Sequence, residues 1–171
     1  MNDRNGCGCI KIRTPRAEDI PGIRRVVADC APYLTNYAEY LYFRDLHCNG
    51  QTTCVAELGG EVVGWCSIFP APALAPGRFF LHQIGTASRA RHHGIAEELF
   101  FYLLPKLAGL KVLQFTIDRK NTAAQKLFHR IAVRAGLRLL KTPGVIPLLE
   151  GDSDDELYVM TPDEADGSEV A

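Results

Sequence analysis

No stretch of this 171-residue chain approaches the ~18 consecutive apolar residues of a membrane span. The opening residues, Met1-Asn2-Asp3-Arg4-Asn5-Gly6, lack the apolar run of a signal peptide. These two absences predict a cytoplasmic protein that stays off the membrane. Neither sign of charge is in excess: 19 Lys and Arg stand against 20 Asp and Glu, a net charge of −1. No overall field therefore favours nucleic acid or an anionic membrane as a partner. Metal-ligand pairs are also lacking. Cys7-Gly8-Cys9 has no second Cys/His pair at finger spacing, so no metal is expected. In that compartment the six cysteines (Cys7, Cys9, Cys30, Cys48, Cys54, Cys66) are expected as thiols. Internal repeats and a second domain are not evident.

What is present is ordinary for a globular domain: 47% apolar and 23% charged residues, in a chain long enough to bury a core. The pattern predicts a mobile arm over 1–9, a domain over 10–160 and an acidic tail over 161–171. Residues 10–13 read as a short strand. Thr14-Pro15 is a helix-start signal, and Ile20, Ile23, Val26 and Val27 carry the helix to about Cys30. Pro32 breaks it. A second, aromatic helix is expected from Tyr33, with Tyr33, Tyr37, Tyr40, Leu41 and Arg44 at helical spacing. Its tyrosines serve either as core rings or, with Glu39 and Arg44, as the wall of a polar pocket.

Two β-prone runs around Gly59-Gly60 predict a hairpin over 52–69, with Val55, Val63 and Trp65 in the core. Residues 70–77 are a Pro-rich loop, 79–86 a strand, and 95–107 a helix that Pro105 ends or kinks. Residues 111–117 form another strand. Asn121 opens the next helix and Gly136 stops it. Strands follow over 137–140 and 156–160, with a loop between them.

The central strand runs into Arg91-His92-His93-Gly94-Ile95-Ala96, a basic glycine turn at the start of a helix. Unpaired N–H groups and a partial positive charge at such a helix start suit an anion. Alone, the turn reads equally as a plain strand-to-helix connection with a surface basic cluster.

The turn matches R/Q-x-x-G-x-G/A, the signature of the GNAT acetyltransferases, and the element order resembles theirs. A second match is Asn121 opening the helix after the next strand. The resemblance implies an α/β GNAT fold: a mixed sheet of six to seven strands with flanking helices. Within that family the chain resembles the diaminobutyrate acetyltransferases of ectoine synthesis. The similar pieces are Arg44-Asp45 before Thr53-Cys54-Val55-Ala56-Glu57, then Gln83-Ile84-Gly85, Thr116-Ile117, Leu127-Phe128 and Leu157-Tyr158. It departs from them where relatives tend to carry Trp before the central Gln and an Asp ahead of the aromatic helix. Here His82 and Pro32-Tyr33 stand instead.

The resemblance implies acetyl-CoA as co-substrate and a small-molecule amine as acceptor, with a homodimer as the allied assembly. Arg91, His92, His93, Gly94, Ile95 and Ala96 would hold the pyrophosphate. The backbone of Gln83, Ile84, Gly85 and Thr86 would pair with the pantetheine arm, which Asn121 would also bond. His82 holds the offset where many relatives have an acidic base, and imidazole has a reference pKa of ~6.5. Asp155 and Glu156 are the other base or substrate candidates. The tyrosine that usually acts as acid is replaced by Phe128, counted here with the cofactor-side residues. Tyr158 is the substitute acid, unless the thiolate leaves unaided. Tyr37, Glu39, Tyr40, Arg44 and Glu156 are expected on the substrate side. The acceptor is read as a primary amine of a small amino acid. Polyamines, amino sugars, a protein N-terminus and a silent acyl-CoA-binding module are the competing readings.

Overall fold

The computed structural model describes residues 9–71, 75–142 and 155–162. Cys7, most of the expected arm, the loop over 143–154 and the tail beyond Pro162 lie outside them. Strands are β1 (Lys11–Arg13), β2 (Thr53–Leu58), β3 (Glu61–Pro70), β4 (Arg78–Thr86), β5 (Val112–Asp118), β6 (Leu137–Lys141) and β7 (Asp155–Pro162). Helices are α1 (Ile20–Asp29), α2 (Glu39–Asn49), α3 (Ile95–Leu103) and α4 (Thr122–Ala135). The strands form one seven-stranded mixed sheet in the order β1-β2-β3-β4-β5-β7-β6, as the resemblance implies. The chain divides into two compact units, Met1–Ser67 with Gln83–Leu103 and Ile68–His82 with Leu104–Ala171.

In the first unit the hairpin forms as expected. Gly59 and Gly60 both take positive φ (59° and 82°), the backbone of a tight two-residue turn. Val55, Val63 and Trp65 are fully buried, and α3 packs on β2. Pro105 falls just past the end of α3, in a short 3-10 turn. Cys54 and Cys66 sit opposite each other across β2 and β3 as buried free thiols. Burial pushes the Cys66 thiol well up.

The first two helices differ from the sequence reading. α1 starts at Ile20, not at Thr14-Pro15, with Pro21 in its first turn. The reason is Asp19. Its carboxylate takes two bonds from the Arg13 guanidinium (2.6 and 2.8 Å) and one from the Arg16 N–H (2.7 Å). This folds residues 16–19 into a turn before the helix begins. α2 starts at Glu39, six residues later than expected, and with a different phase. Tyr42 and Asp45 are its buried positions, while Tyr33 and Tyr40 are 44% and 69% exposed. The aromatic spacing misled because residues 35–37 spend their polar groups on side chains rather than on a helical ladder.

In the second unit β4 pairs in parallel with β5 over Arg78–Phe80 against Val112–Gln114. β7 lies between β5 and β6, antiparallel to both, and runs to Pro162, two residues into the expected tail. α4 packs on β6. Asn121 caps α4 as predicted, its Oδ1 accepting the Ala124 N–H at 3.0 Å.

Candidate active site

In the first unit the connection from β4 to α3 is held from outside. The Asp29 carboxylate, on the last residue of α1, accepts the Ser88 N–H and O–H, both at 3.0 Å. Those bonds hold the Asp29 carboxyl below its ordinary value. Arg91 donates to the Thr86 carbonyl (3.3 Å) and the Asp29 carbonyl (2.6 Å). Its guanidinium therefore ties the turn to β4 and α1 rather than standing free toward an anion. The Cys30 thiol also reaches the Thr86 carbonyl, at 3.6 Å.

Beyond Arg91 the backbone takes left-handed conformations at His92 (φ 67°) and Gly94 (φ 74°). Histidine is among the residues that tolerate this region, and glycine is at home in it. A Cβ at Gly94 would meet nothing within 4 Å, so open space lies beside the turn. The His93 ring is set by its Nδ1 against the Arg91 carbonyl at 2.9 Å. α3 then begins at Ile95, and the Glu98 N–H closes its first turn on the Gly94 carbonyl at 3.1 Å; N–H groups ahead of that bond have no carbonyl of a preceding turn to pair with. Glu97 and Glu98 in that first turn offset part of the positive end. The turn thus offers an anion mostly backbone donors, with His92 and His93 exposed beside them.

The substrate-side residues are spread along 37–44. Tyr37 is half-buried, and its N–H donates to the Tyr42 hydroxyl (3.3 Å). Burial pushes that hydroxyl up, so it stays protonated. Glu39 is exposed and 3.7 Å from Arg24, and Tyr40 is exposed. Arg44 grips the buried carboxylate of Asp45 at 2.8 Å. An open groove of about 300 Å³ lies along α1, lined by Pro21, Arg24, Arg25, Ala28, Asn36 and Glu39. Of the expected site residues only Glu39 borders it, so it is not the pocket the sequence anticipates.

In the second unit the half-buried His82 ring lies 4.8 Å from the Phe69 ring at 31°. Phe128 is buried and stacked on Phe115 (4.1 Å), which makes it a core ring of this unit. Tyr158 also stacks on Phe115, with ring centroids 5.9 Å apart and planes at 8°. The Tyr158 hydroxyl donates to Glu156 at 3.2 Å, and Lys141 pairs with the same carboxylate at 2.6 Å. Lys141 holds Glu156 below its ordinary value, while burial and then Glu156 push Tyr158 up. A phenol so placed is a poor acid toward a thiolate of reference pKa ~8.5. Asp155 begins β7, opposite Asp118.

Sequence reasoning did not single out Asp29, Ser88 or Tyr42. One signal was available for Asp29. An acid in the last turn of a helix opposes the macrodipole, which calls for a partner elsewhere.

A glycine turn bound to the end of a strand, left-handed at two positions and opening a helix, is the geometry expected of an acyl-CoA pyrophosphate site. The acetyltransferase (GNAT) family model matches residues 20–132, and the chain belongs to that family. It is an N-acetyltransferase with acetyl-CoA as co-substrate. Its relatives include the L-2,4-diaminobutyric acid acetyltransferase of Vibrio cholerae, 34% identical over 122 residues (70% of this chain, 69% of the relative). The Bordetella parapertussis enzyme of the same name is 28% identical over 154 residues (86% and 81%). Among solved structures, the diaminobutyrate acetyltransferase of Paenibacillus lautus, in complex with L-2,4-diaminobutyric acid and coenzyme A, superposes with a TM-score of 0.81. It is 25% identical, over 91% of this chain and 96% of that one.

Proposed function

We propose that this chain transfers the acetyl group of acetyl-CoA to a primary amine of 2,4-diaminobutyrate or a closely similar small amino acid. The observation that carries the reading is the shared name of the relatives that span most of the chain. The same name points to ectoine synthesis as the setting. We place the enzyme in the cytoplasm, as a homodimer, with one catalytic domain over 10–160.

Bound acetyl-CoA supplies an activated thioester carbonyl; the chain supplies position and proton transfer. Backbone N–H groups at 92–96 bind the pyrophosphate, and Arg91 keeps them in place through its two carbonyl bonds. The strand end over Ile84, Gly85 and Thr86 presents its edge to the pantetheine amides. A strand N–H stabilises the carbonyl oxygen as charge develops. His82 takes the proton of the ammonium and frees the attacking nitrogen. Nitrogen bonds to the carbonyl carbon, the C–S bond breaks with the sulfur leaving as thiolate, and the second proton on nitrogen passes to that thiolate through water, leaving the neutral amide and the free thiol. Asn121 steadies the pantetheine arm while capping α4. Tyr37, Glu39, Tyr40 and Arg44 address the amino acid, and Glu156, turned by Tyr158, meets its second ammonium by exchange with Lys141.

The test is thiol release from acetyl-CoA with a panel of amines: 2,4-diaminobutyrate, ornithine, lysine, putrescine, glucosamine and a short peptide. The highest kcat/KM is expected for diaminobutyrate, by about tenfold or more, the scale of a well-recognised polar group. Fastest turnover of a polyamine, sugar or peptide would replace the substrate assignment. Tight CoA binding with no turnover on any amine would establish a silent binding module instead. Light scattering of the purified chain tests the dimer.

A further inference from the structure

Gln83 is an unusual residue for its position. It lies inside β4, 3% exposed, in line with the buried Leu81 and Gly85. An apolar side chain would fill that place without the cost of burying an amide. The amide is satisfied at both ends. Its Oε1 accepts the Trp65 indole N–H at 3.3 Å, and its Nε2 donates to the Thr35 carbonyl at 2.8 Å.

Thr35 belongs to the irregular segment between α1 and α2. Over residues 35–37 that segment is bonded to side chains. The Tyr42 hydroxyl accepts the Tyr37 N–H at 3.3 Å and donates to the Asn36 side chain at 3.4 Å. Tyr42 in turn sets its ring edge-on to Trp65, 6.5 Å away. The segment also rests on β4 at a second point. A Cβ on Gly85 would come within 2.9 Å of both the Cys30 thiol and Leu34. β4 therefore grips residues 30–35 at three points: by contact at Gly85, by the Cys30 thiol on the Thr86 carbonyl at 3.6 Å, and by the Gln83 amide on Thr35. Of the two hydrogen bonds, the one from Gln83 is the shorter, at 2.8 Å, and it alone reaches as far as Thr35.

We propose that Gln83 is a positioning residue for the amine: its amide fixes residues 35–37, and with them Tyr37, against the strand that presents the acetyl group. This rests on the reading above that Tyr37 and the start of α2 face the amino acid. Gln83 touches no reacting atom. It follows His82 and precedes the Ile84-Gly85-Thr86 edge in sequence. Its side chain thus anchors the part of the amine-side segment that leads into Tyr37 to that strand.

The experiment compares Gln83→Met, Gln83→Glu and Tyr42→Phe with wild type. Met keeps the size and loses both hydrogen bonds. Glu keeps an acceptor for Trp65 but turns an oxygen toward the Thr35 carbonyl. Both are expected to raise the KM for the amine about tenfold, the factor for one buried hydrogen bond, with kcat and the acetyl-CoA KM nearly unchanged. Amide exchange over residues 31–38 is expected to speed up in step. Tyr42→Phe should move the same two readouts in the same direction by less. An unchanged amine KM beside a lowered Tm would overturn the proposal, as would an equal rise in the acetyl-CoA KM. If neither Gln83 variant folds, Tyr42→Phe decides: an unchanged amine KM and unchanged exchange overturn it. Wild type that acetylates no amine would instead defeat the functional reading, and this proposal with it.

Discussion

Asp29 and Ser88 join the end of α1 to the connection that leads from β4 into the glycine turn, through two 3.0 Å bonds on one carboxylate oxygen. The bond pair resolves a local conflict. A carboxylate at a helix C-terminus faces the negative end of the macrodipole. The Arg91 guanidinium on the Asp29 carbonyl places a cation at that same end. The two contacts together tie the turn to α1 as well as to β4.

Asp29→Ala should therefore weaken acetyl-CoA without touching the amine. The carboxylate is exposed, so the effect is modest: about a three- to fivefold rise in the acetyl-CoA KM, as for one or two solvent-facing hydrogen bonds. Steady-state kinetics with each substrate varied in turn checks it. An equal change in the amine KM would show that α1 serves both sites.

Gly94→Ala separates backbone strain from ligand contact. Nothing lies within 4 Å of the added methyl in the free protein, yet φ is 74°. The fold should lose about 1–2 kcal/mol from left-handed strain alone. CoA affinity should fall further, because the methyl points into the space the pyrophosphate needs. Thermal melts with and without CoA measure both terms. A CoA-induced rise in Tm equal to that of wild type would remove the phosphate from this side of the turn.

The hairpin, the Asn121 cap and the glycine turn before α3 were legible because each is set by local chemistry. Gly59-Gly60 needs positive φ, Asn121 needs only the Ala124 N–H, and the turn is six consecutive residues. The first two helices were not, because side chains distant in sequence fix them. Arg13 draws Asp19 out of a helix start, and Gln83 and Tyr42 hold residues 35–37 out of a helix. An i, i+4 pattern of tyrosines cannot report a bond made 48 residues away. The site divides the same way. The turn was read by position, but the role of Arg91 was not, since its partners are carbonyls that no side-chain pattern marks.

Asp19 should give the protein an acid-labile increment of stability. Arg13, before any other cause, holds its carboxyl below the ordinary value. A group depressed in the folded state stabilises fully above its unfolded pKa of ~3.9, and the gain disappears as pH falls through the folded value. Asp19→Asn should cost about 1 kcal/mol at pH 7, allowing for screening at this partly open pair, or roughly 2–4 °C in Tm. Below the depressed pKa the two proteins should melt alike. A difference that persists into strong acid would mean the loss is steric rather than ionic.

His82 and Tyr158 should answer differently to deletion, and the contrast identifies where protons move. His82→Ala removes the only proposed base on β4, and general-base losses run to about a hundredfold or more in kcat. The acidic limb of the kcat/KM profile should go with it, while CoA affinity stays. Tyr158 donates its hydrogen to Glu156 and has its pKa raised by burial and by that carboxylate. It remains protonated through neutral pH but yields its proton reluctantly. A thiolate of reference pKa ~8.5 gains little from such a donor and leaves unaided. Tyr158→Phe should keep kcat within about threefold, and raise the amine KM through the loosened Glu156. A hundredfold fall in kcat for Tyr158→Phe would return the acid role to the phenol. Unchanged rates across pH in His82→Ala would pass the base role to Asp155 or Glu156.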